Sequence, residues 1–417
     1  MSPAAVQRES EIVLCIGTEK LIALEGRLEG REPRILRYAV LEDREGFDRG
    51  FVKSLDKAAA SFEAVLKKLY EGAEAPEEPE IHVVLNNPKL RTYSFSSSQY
   101  FQGFHRTVSN QEVRSVVRQT RSIATLPLSE VVLQAIPESF LVDDLEGVRN
   151  PLGLEARRLG VTLKIFTMNF EDFKNISRAF EIAEINVKGY FPEALTASAA
   201  VLTEQEKEEG ALLLDLTEDS LHLALWKGGL LRGTRVLDCG GRRLSSDIAS
   251  KWKIELGDAR KVKDQYGSFE TENNFKDELI PLLERADKGA YSIHRQEFQE
   301  NFLEFGRAWL AGILGQSQSF SEEENILHPH LVFTGDGVLM NGFLEFLQAK
   351  FSKVARIGLP RRMELPAELS TNPSFSAATG LYRWLADSRE DRENLLAPQG
   401  FFEKTMVSAK DWFSAYF

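Results

Sequence analysis

A chain of 417 residues, 43% hydrophobic and 27% charged, has the make-up of a folded protein of about two or three domains, which excludes a disordered or fibrous chain. A net charge of -12 and a pI near 5.3 leave no basic stripe for phosphates and exclude nucleic acid as a partner. Cys15 and Cys239 fall in different expected elements, so no disulfide framework is built, and no run of about 18 apolar residues is present to span a bilayer.

The opening "MSPAAVQRES" lacks the apolar core of a signal peptide, so the expected setting is the cytosol or the face of a membrane. Two stretches then set the frame, "IVLCIGTEKLIAL" from Ile12 and "LLLDLTEDSLHLAL" from Leu212. Each reads as an apolar strand, a polar turn and a second apolar strand. After the first comes a helical pattern from Phe51 to Gly72, then an acidic link and the strand "IHVVL" at Ile81 to Leu85. A segment of different texture runs from Asn86 to about Lys164. In it, Ser109 and Glu112 have capping-box spacing ahead of a helix, and a hairpin and a returning strand follow. The helix "FEDFKNISRAFEIAEI", the strand "NVKGYF" and the small-residue helix "PEALTASAAVL" lead to charged "TEQEKEEG" and the second hairpin. Beyond it come a strand ending in "DCGG", the helix "RRLSSDIASKW", a mostly helical block from Ile254 to Gln318, and "HLVFTGDGVLMNGFLEFLQAKF", read as strand, glycine turn, helix. "FSAATGLYRWLA" is a last helix ending near Ala386. The repeated order of hairpin and helices predicts a duplicated α/β fold of two lobes with a cleft between them.

The final segment, "FFEKTMVSAKDWFSAYF", lies behind the charged stretch Asp387 to Gly400. On a helix, Phe401, Phe402, Met406, Trp412, Phe413, Tyr416 and Phe417 gather on one side, opposite Glu403, Lys404, Lys410 and Asp411. Such an aromatic face suits the headgroup boundary of a bilayer; the same face could instead dock on the body or on a partner. His328 and His330 flank Pro329 at metal-like spacing but precede a strand, and are read as loop residues.

Taken together and in order, the segment from Ser109 to Thr167, "ALTASAAVLTEQEKEEGALLLDL", "CGGRRLSSDIA" and the terminal stretch make the chain resemble the FtsA family, the bacterial cell-division branch of the actin-like, duplicated ribonuclease-H-like fold. The resemblance implies first-lobe core at 1–85 with 165–192 and 374–386, and an inserted α+β subdomain at 86–164. It further implies second-lobe core at 193–253 with 321–373, a small helical subdomain at 254–320, a linker at 387–400 and an amphipathic membrane-targeting helix at 401–417.

It also implies a nucleotide cleft held by the two turns, with ATP and, only with it, magnesium. Gly17, Thr18, Lys20 and Asp215 match that pattern, and Gly240 and Gly241 of "DCGG" belong to the same cleft; Gly335 and Gly337 of "TGDG" keep the adenosine-side loop, and Ser245 to Ala249 and Lys263 match positions flanking adenosine. The departures are Cys15 in place of aspartate, Asp336 in place of glycine, and Thr217, Glu218 and Asp219 in place of small residues. Acidic side chains then face the triphosphate, so ATP is expected to bind weakly or not at all, hydrolysis is expected to be weak or absent, and no catalytic or metal residue is assigned. The implied partners are the C-terminal tail of FtsZ at Arg295, with Arg285, Lys288 and Arg307 assisting, membrane lipid, further copies in a head-to-tail filament, and other division proteins at the insert. The implied place is the cytoplasmic face of the bacterial inner membrane at the division site. An actin-like pilus-assembly scaffold that binds an inner-membrane peptide is the alternative; a sugar kinase or chaperone-like ATPase would need intact phosphate turns.

Overall fold

The structure, a computed structural model, describes residues 10–28, 32–42, 45–76, 80–103, 105–270, 278–285, 289–351 and 355–395. The terminal aromatic segment with Phe401, Phe402, Met406, Trp412, Phe413, Tyr416 and Phe417 lies outside them.

Strands β1 (Glu11–Ile16) and β2 (Leu21–Arg27) pair antiparallel, with Ile16 opposite Leu21. Both are buried almost throughout, as continuous apolar runs in mid-sheet must be. β3 (Arg34–Leu41) extends the ladder, and a small pair, β4 (Phe47–Asp48) and β5 (Phe51–Val52), precedes α1 (Leu55–Leu69). Helix α1 lays Ala58, Phe62, Val65 and Leu69 in the core at helical spacing and stops before Gly72, whose φ of 77° suits glycine. It leads to β6 (Glu80–Leu85), parallel to β1.

The insert is built from β7 (Arg91–Tyr100), β8 (Arg106–Thr107), α2 (Asn110–Ile123), β9 (Glu130–Val142), β10 (Leu145–Val148), β11 (Glu155–Ala156) and β12 (Arg158–Asn169). Its sheet has the order β10-β9-β12-β7, and α2 packs on it through Val113, Val116 and Val117. The capping box at Ser109 is formed: its hydroxyl oxygen accepts from the Gln111 N–H at 3.2 Å, and the Glu112 carboxylate accepts from the Ser109 N–H at 3.0 Å. Strand β7 was not expected, because "TYSFSSSQY" is too polar to read as a core strand; it is an edge. α3 (Phe170–Ile182) and β13 (Asn186–Pro192) close the first sheet, β13-β6-β1-β2-β3.

The second half begins with α4 (Glu193–Val201) and α5 (Glu204–Glu209), then β14 (Ala211–Leu216), β15 (Leu221–Lys227) and β16 (Leu230–Leu237). There follow α6 (Arg242–Trp252), α7 (Leu256–Tyr266), β17 (Leu279–Arg285), β18 (Gly289–His294), α8 (Arg295–Glu323), β19 (His330–Thr334), α9 (Phe343–Phe351), β20 (Ala355–Ile357), α10 (Ala367–Ser370) and α11 (Ser376–Leu395). Its sheet, β16-β15-β14-β19-β20, repeats the order of the first, with β14 in the place of β1.

Three elements differ from expectation. The polar "TEQEKEE" forms α5 because Thr203 and Glu206 close a capping box. The block at 254–320 is not wholly helical, since β17 and β18 pair within it and bury Ile280, Leu282 and Ile293; Pro281 in so short a run hides the strand pattern. The last helix does not end near Ala386. Arg383, almost fully buried, pairs with Asp387 one turn on, and the helix runs through Leu395 across most of the expected linker.

The layers alternate. Helices α1 and α3 cover the outer face of the first sheet. Helices α4 and α11 lie between the two sheets, packed on Val13 and Ile22 of one and Leu213 and Val332 of the other. Helices α6 to α9 cover the second sheet. The central helices are close: a Cβ on Gly380 would stand 1.9 Å from the Thr196 carbonyl oxygen. The Tyr382 hydroxyl donates to the Glu11 and Leu24 carbonyls at 2.7 and 3.0 Å, binding α11 to the first sheet. The insert also reaches the second lobe, where buried Lys164 donates to the Arg232 carbonyl and Thr92 meets Thr234 at 2.5 Å.

Candidate functional site

The two hairpin turns meet at the C-terminal ends of the central strands, where α/β folds place their sites. Each closes in the same way: the Gly17 N–H donates to the Lys20 carbonyl at 3.1 Å, and the Thr217 N–H donates to the Ser220 carbonyl at 2.9 Å. Asn86, which follows β6, joins the lobes beneath them. Its carbonyl oxygen accepts from the Ser220 hydroxyl at 3.2 Å and lies 3.0 Å from His222 Nε2, while its amide donates to Thr217 Oγ1 at 3.5 Å. Burial holds the His222 imidazole neutral, with its pKa pushed down to about 3.

Acidic groups gather beside this network. Asp215 and Glu193 are buried; Asp215 Oδ2 has no hydrogen-bond partner among the described residues, and Glu193 Oε2 stands 3.6 Å from His222 Nε2. Burial, then the charge of Asp336, pushes Asp215 up to about 8; burial, then Asp215 and Asp336, pushes Glu193 well above the carboxylate range. Cys15 is buried at the end of β1, and burial raises its thiol well above the ordinary value, so it is a core residue and not a nucleophile.

Four cations of the cleft, Lys20, Arg242, Arg260 and Lys263, are engaged. Lys20 reaches across the cleft to Asp336 at 2.8 Å and stands 5.7 Å from the centre of the Phe375 ring. Arg260 of α7 crosses the other way to Glu19 at 2.5 Å. Lys263, buried, pairs with Glu218, and Arg242 pairs with Asp219. Glu218 and Asp219, expected to face a triphosphate, are instead buried and turned onto these cations, because a buried carboxylate must find a charge partner.

The glycines have local work. Gly240 and Gly241 lie against the second turn, the Gly241 N–H donating to the Thr217 carbonyl at 3.0 Å; a Cβ on Gly240 would stand 2.3 Å from the Glu218 carbonyl oxygen. Gly335, at φ 88°, leaves room for Asp215 Oδ1, and Gly337 for the Leu216 side chain. Thr18 is buried at the tip of the first turn. The residues expected around a nucleotide are therefore brought together, but in contact with one another. With Lys20, Arg242, Arg260 and Lys263 paired and the unpartnered Asp215 Oδ2 at the floor, they do not fit a polyphosphate as they stand. No group of three or more metal-ligating side chains occurs among the described residues.

Reading the sequence missed Asn86, Glu193, His222 and the Glu19–Arg260 pair. Glu193, an acid at the head of a small-residue apolar helix, is the one with a visible signal, since such a helix is buried all round.

Of the four cations expected to meet an acidic peptide, Arg295 is not a solvated helix charge. It is buried at the start of α8, donates to the Tyr266 carbonyl at 2.5 Å and lies over the Tyr266 and Phe298 rings. Arg307 is exposed on the same helix, Arg285 ends β17, and Lys288 lies outside the described residues. Leu279 and Tyr291, on the nearby hairpin, are 56% and 48% exposed. His330 pairs with Glu209 at 3.1 Å, and it opens strand β19 instead of lying in a loop as expected.

Two family profiles match: "Cell division protein FtsA" over residues 212–380, and "SHS2 domain inserted in FTSA" over 91–167, which is the insert. The chain is 26% identical to the cell division protein FtsA of Escherichia coli K12 over 397 residues, covering 93% of each chain. It is 23% identical to that of Neisseria meningitidis serogroup B over 369 residues, covering 88% of each. Among solved structures, the PilM-PilN type IV pilus biogenesis complex contains a chain similar at TM-score 0.62 and 16% identity, with 90% of this chain and 98% of that one covered. MreB 5 of Spiroplasma citri bound to AMPPNP is similar at TM-score 0.51 and 13% identity, with 93% and 99% covered. These structures show the actin-like fold, and, with the two profiles together spanning more than half of the sequence, the chain belongs to the FtsA family of cell division proteins.

Proposed function

We propose that this protein is a division scaffold that tethers FtsZ filaments to the cytoplasmic face of the inner membrane. The observation that carries the reading is the match to cell division proteins across both the body and the insert. The terminal segment, with Phe401, Phe402, Met406, Trp412, Phe413, Tyr416 and Phe417, supplies the membrane contact by burying its aromatic face; its charges nearly cancel, so lipid charge adds little. Among the described residues no helix is long and apolar enough to cross a membrane. One modest anchor binds reversibly, and head-to-tail stacking of copies multiplies it by roughly 10² or more.

The subdomain at 254–320 receives the apolar, acidic tail of FtsZ. Exposed Leu279 and Tyr291 support this, as apolar side chains left uncovered on the hairpin that leads into α8, the helix that also carries exposed Arg307. Arg295 acts by holding the start of α8, not by meeting the peptide charge directly. The insert contacts other division proteins. The pilus-assembly alternative is set aside because the similarity to PilM is distant, 16% against 26% for the cell division relative. ATP binds weakly at most, and hydrolysis is weak or absent, since the cleft cations are already paired.

Vesicle co-sedimentation tests the tether. The full chain is expected to pellet and a chain truncated after Gln399 to stay in solution; equal pelleting ends the model. Arg307→Glu is expected to weaken capture of an FtsZ-tail peptide severalfold, a rim-charge effect that grows at low salt.

A further inference from the structure

Three residues that the sequence marks for the nucleotide side of the cleft, Ser245, Lys263 and Gly241, converge on one side chain of the protein itself. Lys263 pairs with Glu218 Oε2, and the Ser245 hydroxyl donates to Glu218 Oε1 at 3.4 Å. A Cβ on Gly241 would stand 2.9 Å from Glu218 Oε2 and 3.5 Å from the Lys263 ammonium, so the space over the glycine is filled by the ion pair. Glu218, Ser245 and Lys263 are all buried. A carboxylate held by an ammonium, a hydroxyl and a glycine shelf is the arrangement an anionic ligand would receive.

Side chains of the protein also join the two lobes. Glu19–Arg260 at 2.5 Å and Lys20–Asp336 at 2.8 Å run in opposite senses across the cleft, and Asn86 joins its floor. A nucleotide that closes two lobes does so by contacting both; here the protein makes such contacts with its own side chains.

We propose that Glu218 is the internal ligand of this cleft: its carboxylate holds the anion position between Ser245, Lys263 and Gly241, and the two ion pairs keep the lobes together in place of a nucleotide. The state of the cleft then does not follow the nucleotide supply, and Glu218 is the residue that excludes the polyphosphate. This rests on the reading of the cleft as a poor phosphate site and is independent of the tether.

The test uses the full chain with magnesium and ATP, followed by calorimetry and thermal unfolding, for the parent, Glu218→Ala and Glu218→Gln. The parent is expected to show no ATP-dependent rise in melting temperature. Glu218→Ala is expected to melt lower, because Lys263 loses its buried partner and keeps only the exposed Asp264 at 3.6 Å, and millimolar ATP is expected to restore part of that loss; its affinity exceeds the parent's roughly tenfold or more once the repulsion is gone. Glu218→Gln keeps the side-chain shape without the charge, gives the same sign more weakly, and serves if the alanine variant does not fold. Equal ATP binding by parent and variants overturns the proposal, as does a pair of variants that ATP leaves unmoved. Vesicle pelleting of the same three proteins is expected to be unchanged, so a failure there speaks against the tether and not against Glu218.

Discussion

The two hairpin turns have one backbone and two destinies. In each, the strands run in the same register to the closing pair, Ile16 with Leu21 and Leu216 with Leu221, and one N–H closes the turn. In the first turn, Glu19 and Lys20 stay partly exposed and reach across to Arg260 and Asp336 in the other lobe. In the second, Thr217 to Ser220 are all buried; Glu218 and Asp219 pair within their own lobe, and Thr217 and Ser220 meet Asn86. Strand pairing settles the backbone of a tight hairpin, whereas burial settles where its side chains go. The same turn thus makes a partly exposed clasp in one lobe and a buried network in the other.

That contrast can be broken by substitution. Lys263→Met strands Glu218 in the interior and is expected to cost about 3–5 kcal/mol in denaturant unfolding, while the double variant with Glu218→Gln recovers most of it. A double variant as unstable as the single one would deny the pairing.

Next comes pH. Asp215 has a folded pKa near 8 against an ordinary 3.8, so the folded state binds the extra proton. Its stabilising contribution is full below its ordinary value and is lost as pH rises to about 8, at no more than about 1.4 kcal/mol per pH unit. Asp215→Asn is expected to flatten that slope in unfolding curves between pH 5 and 8 (a range set by ~4 to ~8 titration). Glu11, at the far end of β1, behaves oppositely. Burial would raise it, but the hydrogen bond and charge of His82 and the charge of Lys188 outweigh burial and hold it near 2. Its contribution is present above its ordinary 4.5 and is lost as pH falls toward 2.

Asn86→Ala removes the oxygen shared by the Ser220 hydroxyl and His222 Nε2, which keep each other at 2.9 Å and Thr217, for a loss of about 1–2 kcal/mol. Smallest is Lys20→Met, which removes a partly exposed pair and is expected to change stability by less than about 1 kcal/mol, with the remaining difference vanishing in high salt. If Lys20→Met proved costlier than Asn86→Ala, the first turn would be the main clasp and the comparison would be reversed.

Much of the frame was legible from local pattern. The buried runs of β1, β2, β14 and β15 exceed what a surface loop carries, and the spacing from Ser109 to Glu112 is sufficient to place a helix start. Less legible were β7, an edge with a polar sequence, and the β17–β18 pair, whose strand signal Pro281 interrupts. Residue types around the cleft were also foreseeable, but their partners were not. Gly240, Gly241, Gly335 and Gly337 read as room for a phosphate, and in the fold they make room for the protein's own turn and strand end.

By itself, then, the sequence determined the repeated strand–turn–strand frame, the helices that cover it and the acidic character of the second turn tip, because periodicity and burial act over a few neighbouring residues. Only the tertiary structure decided which charge meets which. Lys20 finds Asp336 across 316 positions, and Glu218 of the second turn finds Lys263 on helix α7. Such pairs carry no local signal: they form because folding brings buried charges to a place without water, where each must have a partner.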